Sequence, residues 1–429
     1  MKNKDERKRN EGYLMTDKQM REEMLRCIYC EDKPCMEACP VDCSPADFIM
    51  AARNMTDADM RRATAIIMKD NPFGGICGMV CPDRHCMDAC SRKLFDGPIN
   101  IPDLQAEIVQ RGKEAGGIPE FNISERYGMK VAVVGGGPAG YGAASFLAQK
   151  GYTVDIFEAR EETGGMCNLI PDYRLDREVL KTDMEFAESL GGISVKRNSK
   201  IEDVAALKAD YDAVIVATGL WTPIYPGAEN EEAAIDSIAY LSDPKSFSLK
   251  GRVGVVGGGA TALDCAVTAK RNGASGVELF ALENISELPL SVKEREELLE
   301  YGIDVSGRTK VVSVKASNNE ITGIKTVKVK LAPGKEFSLA AISDVEGSEQ
   351  ERSDIEHLII AVGNRAENPV VSGEGIFSAG DCVEGPTTVV EAVAAGKNAA
   401  LKVDAYVMKT ASPEIEVETK NRVPLPGYV

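Results

Sequence analysis

Short apolar runs bounded by glycine recur along the 429-residue chain, and they set its organisation. Two of them open longer units of the same form. KVAVVGGGPAGYGAASFLAQKGYTVDIFEA begins at Lys130 and RVGVVGGGATALDCAVTAKRNGASGVELFALE at Arg252; each reads as strand, glycine turn, helix and strand. Two further runs, YDAVIVATGL (211–220) and EHLIIAVGN (356–364), are short strands ending in a glycine turn. They bracket the second unit and read as crossings between domains. The segment GIFSAGDCVEGPTTVVEAVAAGKNAA then predicts a strand, a Gly380-Asp381 pair and a helix.

Within the first unit Gly135, Gly137 and Gly140 form G-x-G-x-x-G. The first permits the tight turn, the second lets backbone approach a pyrophosphate, and the third lets helix pack on strand. Glu158 closes the following strand, placed to accept hydrogen bonds from an adenosine ribose. In the second unit Gly257 and Gly259 repeat the pattern, Ala262 takes the third position and Glu283 ends the next strand. The chain therefore reads as an α/β protein with two dinucleotide-binding folds. Because Asp381 can bond the ribityl or pyrophosphate region of a flavin, and the helix start near Thr388 can face its ring, the first site is expected to hold FAD. The second is expected to hold a nicotinamide nucleotide.

Nine of the twelve cysteines fall in the first ninety residues. Cys27, Cys30, Cys35 and Cys39 read C-x2-C-x4-C-x3-C-P, and Cys77, Cys81, Cys86 and Cys90 read C-x3-C-P-x3-C-x3-C, with Cys43 left over. Closely spaced thiolates followed by a cysteine and proline that can reach a second site are the grammar of paired 4Fe-4S clusters. A disulfide framework and structural zinc are the alternatives. The N-terminus, MKNKDERKRNEGYLM, has no apolar core of a secretion signal, so the thiols are expected to stay reduced. Zinc takes two pairs of ligands, a poorer match to eight cysteines with C-x3-C halves.

The remaining composition narrows the partners. A net charge of -17 would repel a phosphate backbone, and no dense basic patch lies outside the N-terminal tail. Nucleic acid is not expected as a partner. The apolar stretch 131–148 is broken by glycines and a proline, so no membrane span is expected and the protein is placed in the cytoplasm.

Taken together, CxxCxxxxCxxxCP, NPFGGICGMVCP with CMDAC, GPINI, VVGGGPAG, IPDYRL, VVGGGATALD and AGDCVEGPTTVVEAVAAGK carry a resemblance over about residues 20 to 408. The chain resembles the flavin and iron-sulfur electron-input proteins typified by the glutamate synthase small subunit and the N-terminal half of dihydropyrimidine dehydrogenase. The resemblance implies that Cys27, Cys30, Cys35 and Cys90 hold one cluster, and that Cys39, Cys81 and Cys86 hold the other with Gln105 as fourth ligand. An amide oxygen donates more weakly than thiolate, so that cluster would be tuned differently. Cys77 and Cys43 are expected to be small buried side chains. With the glycine motifs, the resemblance implies cofactor contacts at Val80, Pro138, Ala139, Gly165, Met166, Arg174, Thr218, Gly219, Ala260, Thr261, Asp264, Glu283, Gly363, Gly380, Asp381, Thr388 and Val389.

One departure bears on the coenzyme. NADPH-using relatives carry Tyr-Arg-Arg after the second strand of this unit, whereas here Phe280, Ala281, Leu282 and Glu283 stand there. A carboxylate accepts bonds from a free 2′-hydroxyl and repels a 2′-phosphate, so NADH is the expected coenzyme. No closely spaced pair suggests a redox dithiol; Cys167, Cys265 and Cys382 are separate in sequence and expected to serve packing. His85 and His357 are the only histidines, neither suggests a catalytic base, and His85 is expected on a surface loop rather than beside a cluster. No further segment is long enough for an FMN barrel, so a partner subunit is expected to handle the organic substrate.

The expected architecture is thus a helical two-cluster domain (1–112), an FAD domain in two parts (129–225 and 356–408), an inserted NAD(H) domain (226–355) and a C-terminal tail (409–429). The expected function is NADH-oxidising electron input to a hetero-oligomeric partner, foremost an FMN-containing subunit reducing uracil or thymine. The alternatives are a glutamate synthase, a ferredoxin, a molybdenum hydroxylase, a bifurcating complex, or a redox sensor that only binds nucleotide.

Overall fold

A computed structural model describes residues 14–118, 121, 123, 128–317, 320–367, 371 and 373–410. Most of the N-terminal tail and the C-terminal VPLPGYV lie outside the described residues.

The N-terminal part is helical, as the cysteine-rich resemblance implies. Its helices are α1 (Asp17–Arg26), α2 (Pro45–Ala52), α3 (Asp57–Asp70), α4 (Gly74–Val80) and α5 (Ile101–Glu114). Each longer helix starts at a side-chain cap: Thr16, Ser44, Thr56 and Asn100 accept the N–H three residues on. The last of these, α5, runs to Glu114, two residues past the expected end of the helical domain at 112.

The chain then forms β1 (Lys130–Val134), α6 (Pro138–Gln149), β2 (Thr153–Phe157), α7 (Arg177–Ser189), β3 (Ile193–Lys196) and β4 (Ala213–Val216). A second series follows: β5 (Ile235–Asp236), β6 (Arg252–Val256), α8 (Ala260–Arg271), β7 (Gly276–Phe280), β8 (Asp304–Ser306), β9 (Thr309–Ser317), β10 (Glu320–Leu331) and β11 (His357–Ile360). The described part closes with β12 (Ile376–Ser378) and α9 (Val389–Met408).

Two all-parallel five-stranded sheets result, ordered β12-β4-β1-β2-β3 and β5-β11-β6-β7-β8. Val131, Ala132, Val133, Val253 and Val255 are fully buried, which is why these strands are apolar without alternation. The antiparallel pair β9–β10 extends the second series. The chain divides into two compact units, one of residues up to Asn168, Asp172–Leu220 and from Asn368, the other chiefly Trp221–Glu367. The sequence places the return to the first unit at residue 356, whereas β11 pairs with β5 and β6, so the second unit continues to Glu367. Leu358, Ile359 and Ile360 are buried inside that second sheet, and an apolar strand with neighbours on both sides cannot leave it.

In the first unit one buried acid ties the helices to the first sheet's layer. Asp183 on α7 is fully buried; it accepts the Ile76 N–H at 2.9 Å at the start of α4 and pairs with Lys113 of α5 at 2.5 Å. Burial raises its carboxyl above the ordinary value, opposed by Lys113 and the α4 N–H groups. Removing the carboxylate strands an ammonium and a helix N-terminus. Asp183→Ala is therefore expected to cost about 3–5 kcal/mol, read as a fall in the thermal midpoint, with Asp183→Asn less damaging. Equal midpoints for Asp183→Ala and wild type would remove Asp183 from this role.

Candidate functional site

Four of the expected ligands surround one cavity. Cys27, Cys30, Cys35 and Cys90 line it together with Ile28, Pro34, Pro45, Ala46, Ile49, Ile99 and Ile101. Local backbone explains the convergence. Cys27 ends α1 in an extended conformation, and Tyr29 at φ 54° turns the chain so that Cys30 comes back to the same space. Cys35 lies in a one-turn helix, Pro34–Glu37, and Cys90 stands just before the short helix Ser91–Leu94. Arg53 donates to the Cys27 carbonyl, and the Cys30 Sγ lies 3.3 Å from Ser91 Oγ. Burial pushes the Cys35 thiol up to about 11 and raises Cys27 as well, so loading this site must displace protons. Among the described residues no group of three His, Cys, Asp or Glu forms a single-ion site. Four thiols spread around a largely apolar cavity suit a multi-iron cage better than one tetrahedral ion.

The second set also comes together. Electrostatic coupling links Cys81 to Cys86 and Cys39, and Cys86 to Cys39. Burial pushes Cys39 up to about 12. Gln105 enters from α5, which lies against α4 so closely that a Cβ on Gly78 would sit 2.4 Å from the Ala106 nitrogen. The Gln105 Nε2 donates to the Gly74 carbonyl at 2.7 Å, which leaves the amide oxygen as the end able to ligate. Cys77 and Cys43 are buried, at 1% and 2% exposure. Neither is remote: the Cys81 N–H donates to the Cys77 carbonyl at 2.9 Å, Cys77 raises the Cys81 thiol, and Cys43 is raised chiefly by burial with Cys39 and Cys86 adding to it. His85 corrects the sequence expectation. It is 4% exposed rather than on a surface loop, with Nε2 4.0 Å from Glu391 of α9, because Arg84 beside it also pairs with Glu391 at 3.3 Å and draws the loop inward.

The first glycine turn is built as a cradle. Gly135 has φ 114°, and a Cβ there would meet the Ala217 carbonyl oxygen at 2.3 Å, so the end of β4 with Thr218 and Gly219 lies directly against the turn. A Cβ on Gly140 would lie 2.0 Å from the Gly135 oxygen. Gly165, at φ 57°, faces Gly137, whose Cα is 2.9 Å from its Cβ position; two bare backbones thus confront each other beside Met166. Pro138 and Ala139 open α6, whose first turn has no side-chain cap. Glu158 accepts the N–H of Gly136 and of Arg160, both at 2.9 Å. Gly380 packs on Ala139, its Cβ position 2.7 Å from that side chain, and this brings Asp381 to the start of α6. Burial pushes the Asp381 carboxyl up to about 6 against the pull of Thr387, whose hydroxyl donates to it at 2.5 Å. Thr388 caps α9 in a reciprocal pair with Glu391, followed by Val389 at the first helical position. Val80, at the end of α4, and Arg174 are half-buried. The uncapped helix start, facing glycines and buried acids fit a flavin dinucleotide.

The second turn repeats this with differences. Gly257 has φ 139° and abuts the Ala361 oxygen at 2.3 Å, while Ala262 is accommodated at the third position. Gly259 caps α8 without a side chain, Ala260 and Thr261 form its first turn, and Asp264 is buried one turn further. Glu283 is 7% exposed; its Oε2 lies 3.1 Å from the Cβ position of Gly258, and burial raises its carboxyl above the ordinary value. Gly363, at φ 110°, has open space where a Cβ would stand. A basic residue the sequence reading missed lies close by. Arg308 couples to Glu283, but it is held by Glu287 at 2.7 Å and by the Leu282 carbonyl at 3.1 Å.

Residues 129–396 match the pyridine nucleotide-disulphide oxidoreductase family, and residues 3–116 match dihydropyrimidine dehydrogenase domain II, 4Fe-4S cluster. The chain is 31% identical to the NAD-dependent dihydropyrimidine dehydrogenase subunit PreT of Escherichia coli K12, over 90% of this chain and 93% of that one. It is 33% identical to the NADP(+)-dependent formate dehydrogenase subunit beta of Moorella thermoacetica over 90% of its own length, but spans only 61% of that protein. Identity to the E. coli glutamate synthase (NADPH) small chain is 28%, over 87% and 89% of the two chains. A solved 2-naphthoyl-CoA reductase shares the fold at TM-score 0.52 and 20% identity, over 74% of this chain and 46% of that one. The chain belongs to the family of FAD and 4Fe-4S oxidoreductases that contains the glutamate synthase small chain and the flavin subunit of dihydropyrimidine dehydrogenase. It is an NAD(P)H-dependent oxidoreductase with FAD and iron-sulfur cofactors. Among the described residues no helix is long and apolar enough to cross a membrane.

The two groupings of cysteine make separable demands. Gln105→Leu is expected to abolish or alter one electron paramagnetic resonance signal of the reduced protein and leave the other, while Cys77→Ser leaves both. Loss of a signal in Cys77→Ser with Gln105→Leu unchanged would make the thiol, not the amide, the ligand.

Proposed function

We propose that this chain is an NADH-oxidising electron-input subunit whose partner is the catalytic subunit of a dihydropyrimidine dehydrogenase reducing uracil or thymine. In this reading residues 27–112 hold two 4Fe-4S clusters through the ligands named above, the first parallel sheet binds FAD, and the second, inserted between β4 and β12, binds NADH. When bound, these groups accept hydride and pass electrons singly. The protein's own part is to seat and insulate them. The uncapped start of α6 and the facing Gly137 and Gly165 leave room for a pyrophosphate; Glu158 and Asp381 supply acceptors at either side. The start of α8 does the same for the nicotinamide nucleotide, with Glu283 at the ribose.

The observation that carries the coenzyme choice is Glu283. A buried carboxylate against the glycine turn is stabilised by hydroxyl donors and opposes a second phosphate, and the nearby guanidinium of Arg308 is already committed to Glu287. The relatives' names divide between NAD, NADP and NADPH, so the residue itself must decide. Support for the dihydropyrimidine partner comes from the matched 4Fe-4S family and from the relative spanned over 93% of its length.

Flavin reduction is expected to favour NADH over NADPH by at least about tenfold in kcat/KM, the worth of one charge-assisted hydrogen bond. Glu283→Ala should bring the two coenzymes together mainly by weakening NADH. Equal use of NADPH by the wild type would reject the assignment. Anaerobic purification from native cells, with mass spectrometry of what accompanies the chain and an assay of NADH-dependent uracil loss, tests the partner. A large amidotransferase in its place would point to glutamate synthase.

A further inference from the structure

Exposed large apolar side chains are unevenly placed in the first unit. Five of them, Leu25 (63% exposed), Ile28 (54%), Tyr29 (44%), Leu94 (85%) and Phe95 (74%), flank Cys27, Cys30 and Cys90, ligands expected around the first cavity. Two stretches far apart in sequence are drawn into one face. Arg26 reaches from the first to the second, donating to the Gly97 carbonyl at 2.6 Å and pairing with Asp96 at 3.3 Å. Cys30 and Ser91 close the other side at 3.3 Å.

Charge on this face is cancelled rather than displayed. Residues 25–33 and 88–97 contain equal numbers of cations and acids, against a net charge of -17 for the chain. Every one of the cations is paired: Arg26 with Glu23 and Asp96, Lys33 with Asp47, Arg92 with Asp96, and Lys93 with Asp88. A diffusible acidic electron carrier needs unpaired cations to be steered in, and this face offers it none while the whole chain repels it. An apolar, neutral face suits a subunit that stays bound, since permanent interfaces are the more hydrophobic class.

We propose that Leu25, Ile28, Tyr29, Leu94 and Phe95 form the docking face for a permanently associated redox subunit with an apolar, near-neutral surface, seated over the first cysteine cavity. The proposal rests on the electron-input reading above. Ile28 also lines the cavity, whereas Leu94 and Phe95, the two residues varied below, are not among its lining residues.

The test uses the complex isolated from native cells and the same complex carrying Leu94→Glu with Phe95→Glu. The wild-type complex is expected to survive size exclusion both at low salt and at about 1 M salt, where charge contacts are screened beyond about 3 Å. The double variant is expected to lose affinity for the same subunit by more than about thirtyfold, the scale of central interface residues, at unchanged NADH oxidation with an artificial acceptor. Amide exchange at residues 94–95 should slow in the wild-type complex. Dissociation of the wild type in high salt, full retention of the double variant, or burial of the patch by a second copy of this chain would each overturn the inference. Failure of NADH to reduce the wild-type protein at all would instead reject the electron-input reading, which the artificial-acceptor assay reports separately.

Discussion

The close crossing of α9 over α6 is the constraint on which the larger unit depends. A Cβ on Gly396 would stand 1.9 Å from the Ala139 oxygen, and one on Gly142 would stand 2.6 Å from the Val393 oxygen, so both helices need a bare backbone where they meet. With the axes this near, Gly380 comes against Ala139 and Asp381 is held at the start of α6. The same helix turns its outer side to the cysteine loops. Lys397 donates to the Val41 carbonyl at 2.8 Å and pairs with Asp70 at 3.3 Å, while Glu391 meets Arg84 and His85. One helix therefore sets the distance between the residues around the flavin turn and the residues around the second set of thiols.

Charges buried along this seam are there because each has more than one partner. Glu391 is 3% exposed; burial would raise its carboxyl, yet Thr388, Arg84 and His85 together hold it below the ordinary value. It thus stays ionised, caps α9 and anchors the loop between Cys81 and Cys86 at once. Asp183 plays the corresponding part at α4, the helix that ends just before Cys81. Breaking a buried carboxylate of this kind costs more than its pairing gains, so such groups act as fixed pins. Rigid holders around redox groups keep the surroundings of each cofactor constant through turnover.

The sequence revealed what is local. Gly135 and Gly257 announce their turns because positive φ selects glycine, and β1, β4, β6 and β11 announce themselves because burial on both faces removes polar residues. The grouping of Cys27, Cys30, Cys35 and Cys90 was also legible, through spacing read together with family resemblance. Asp183 was not, since its partners Ile76 and Lys113 lie 107 and 70 positions away and nothing near it marks it as buried. His85 was misplaced for the same reason: its neighbours Asp83 and Arg84 look like a solvated loop, while Glu391, which meets Arg84 and His85, is distant in sequence. The end of the second unit was set too early because a buried strand such as β11 does not declare which of two sheets it will join.

The two glycine turns show how near-identical sequence can be given different chemistry. Glu158 directly follows β2, whereas Glu283, expected at the end of its strand, stands three residues beyond the end of β7 at Phe280; both are buried. Glu158 accepts the N–H groups of Gly136 and Arg160, which fixes its carboxylate against the first turn. Burial raises the Glu283 carboxyl above its ordinary value, and Arg308 is drawn off toward Glu287. A carboxylate in that state gains most from a neutral hydroxyl donor and least tolerates added negative charge. Under the function proposed above, discrimination between coenzymes needs no clamp on a phosphate; it needs a buried acid and a neighbouring cation that is already paired.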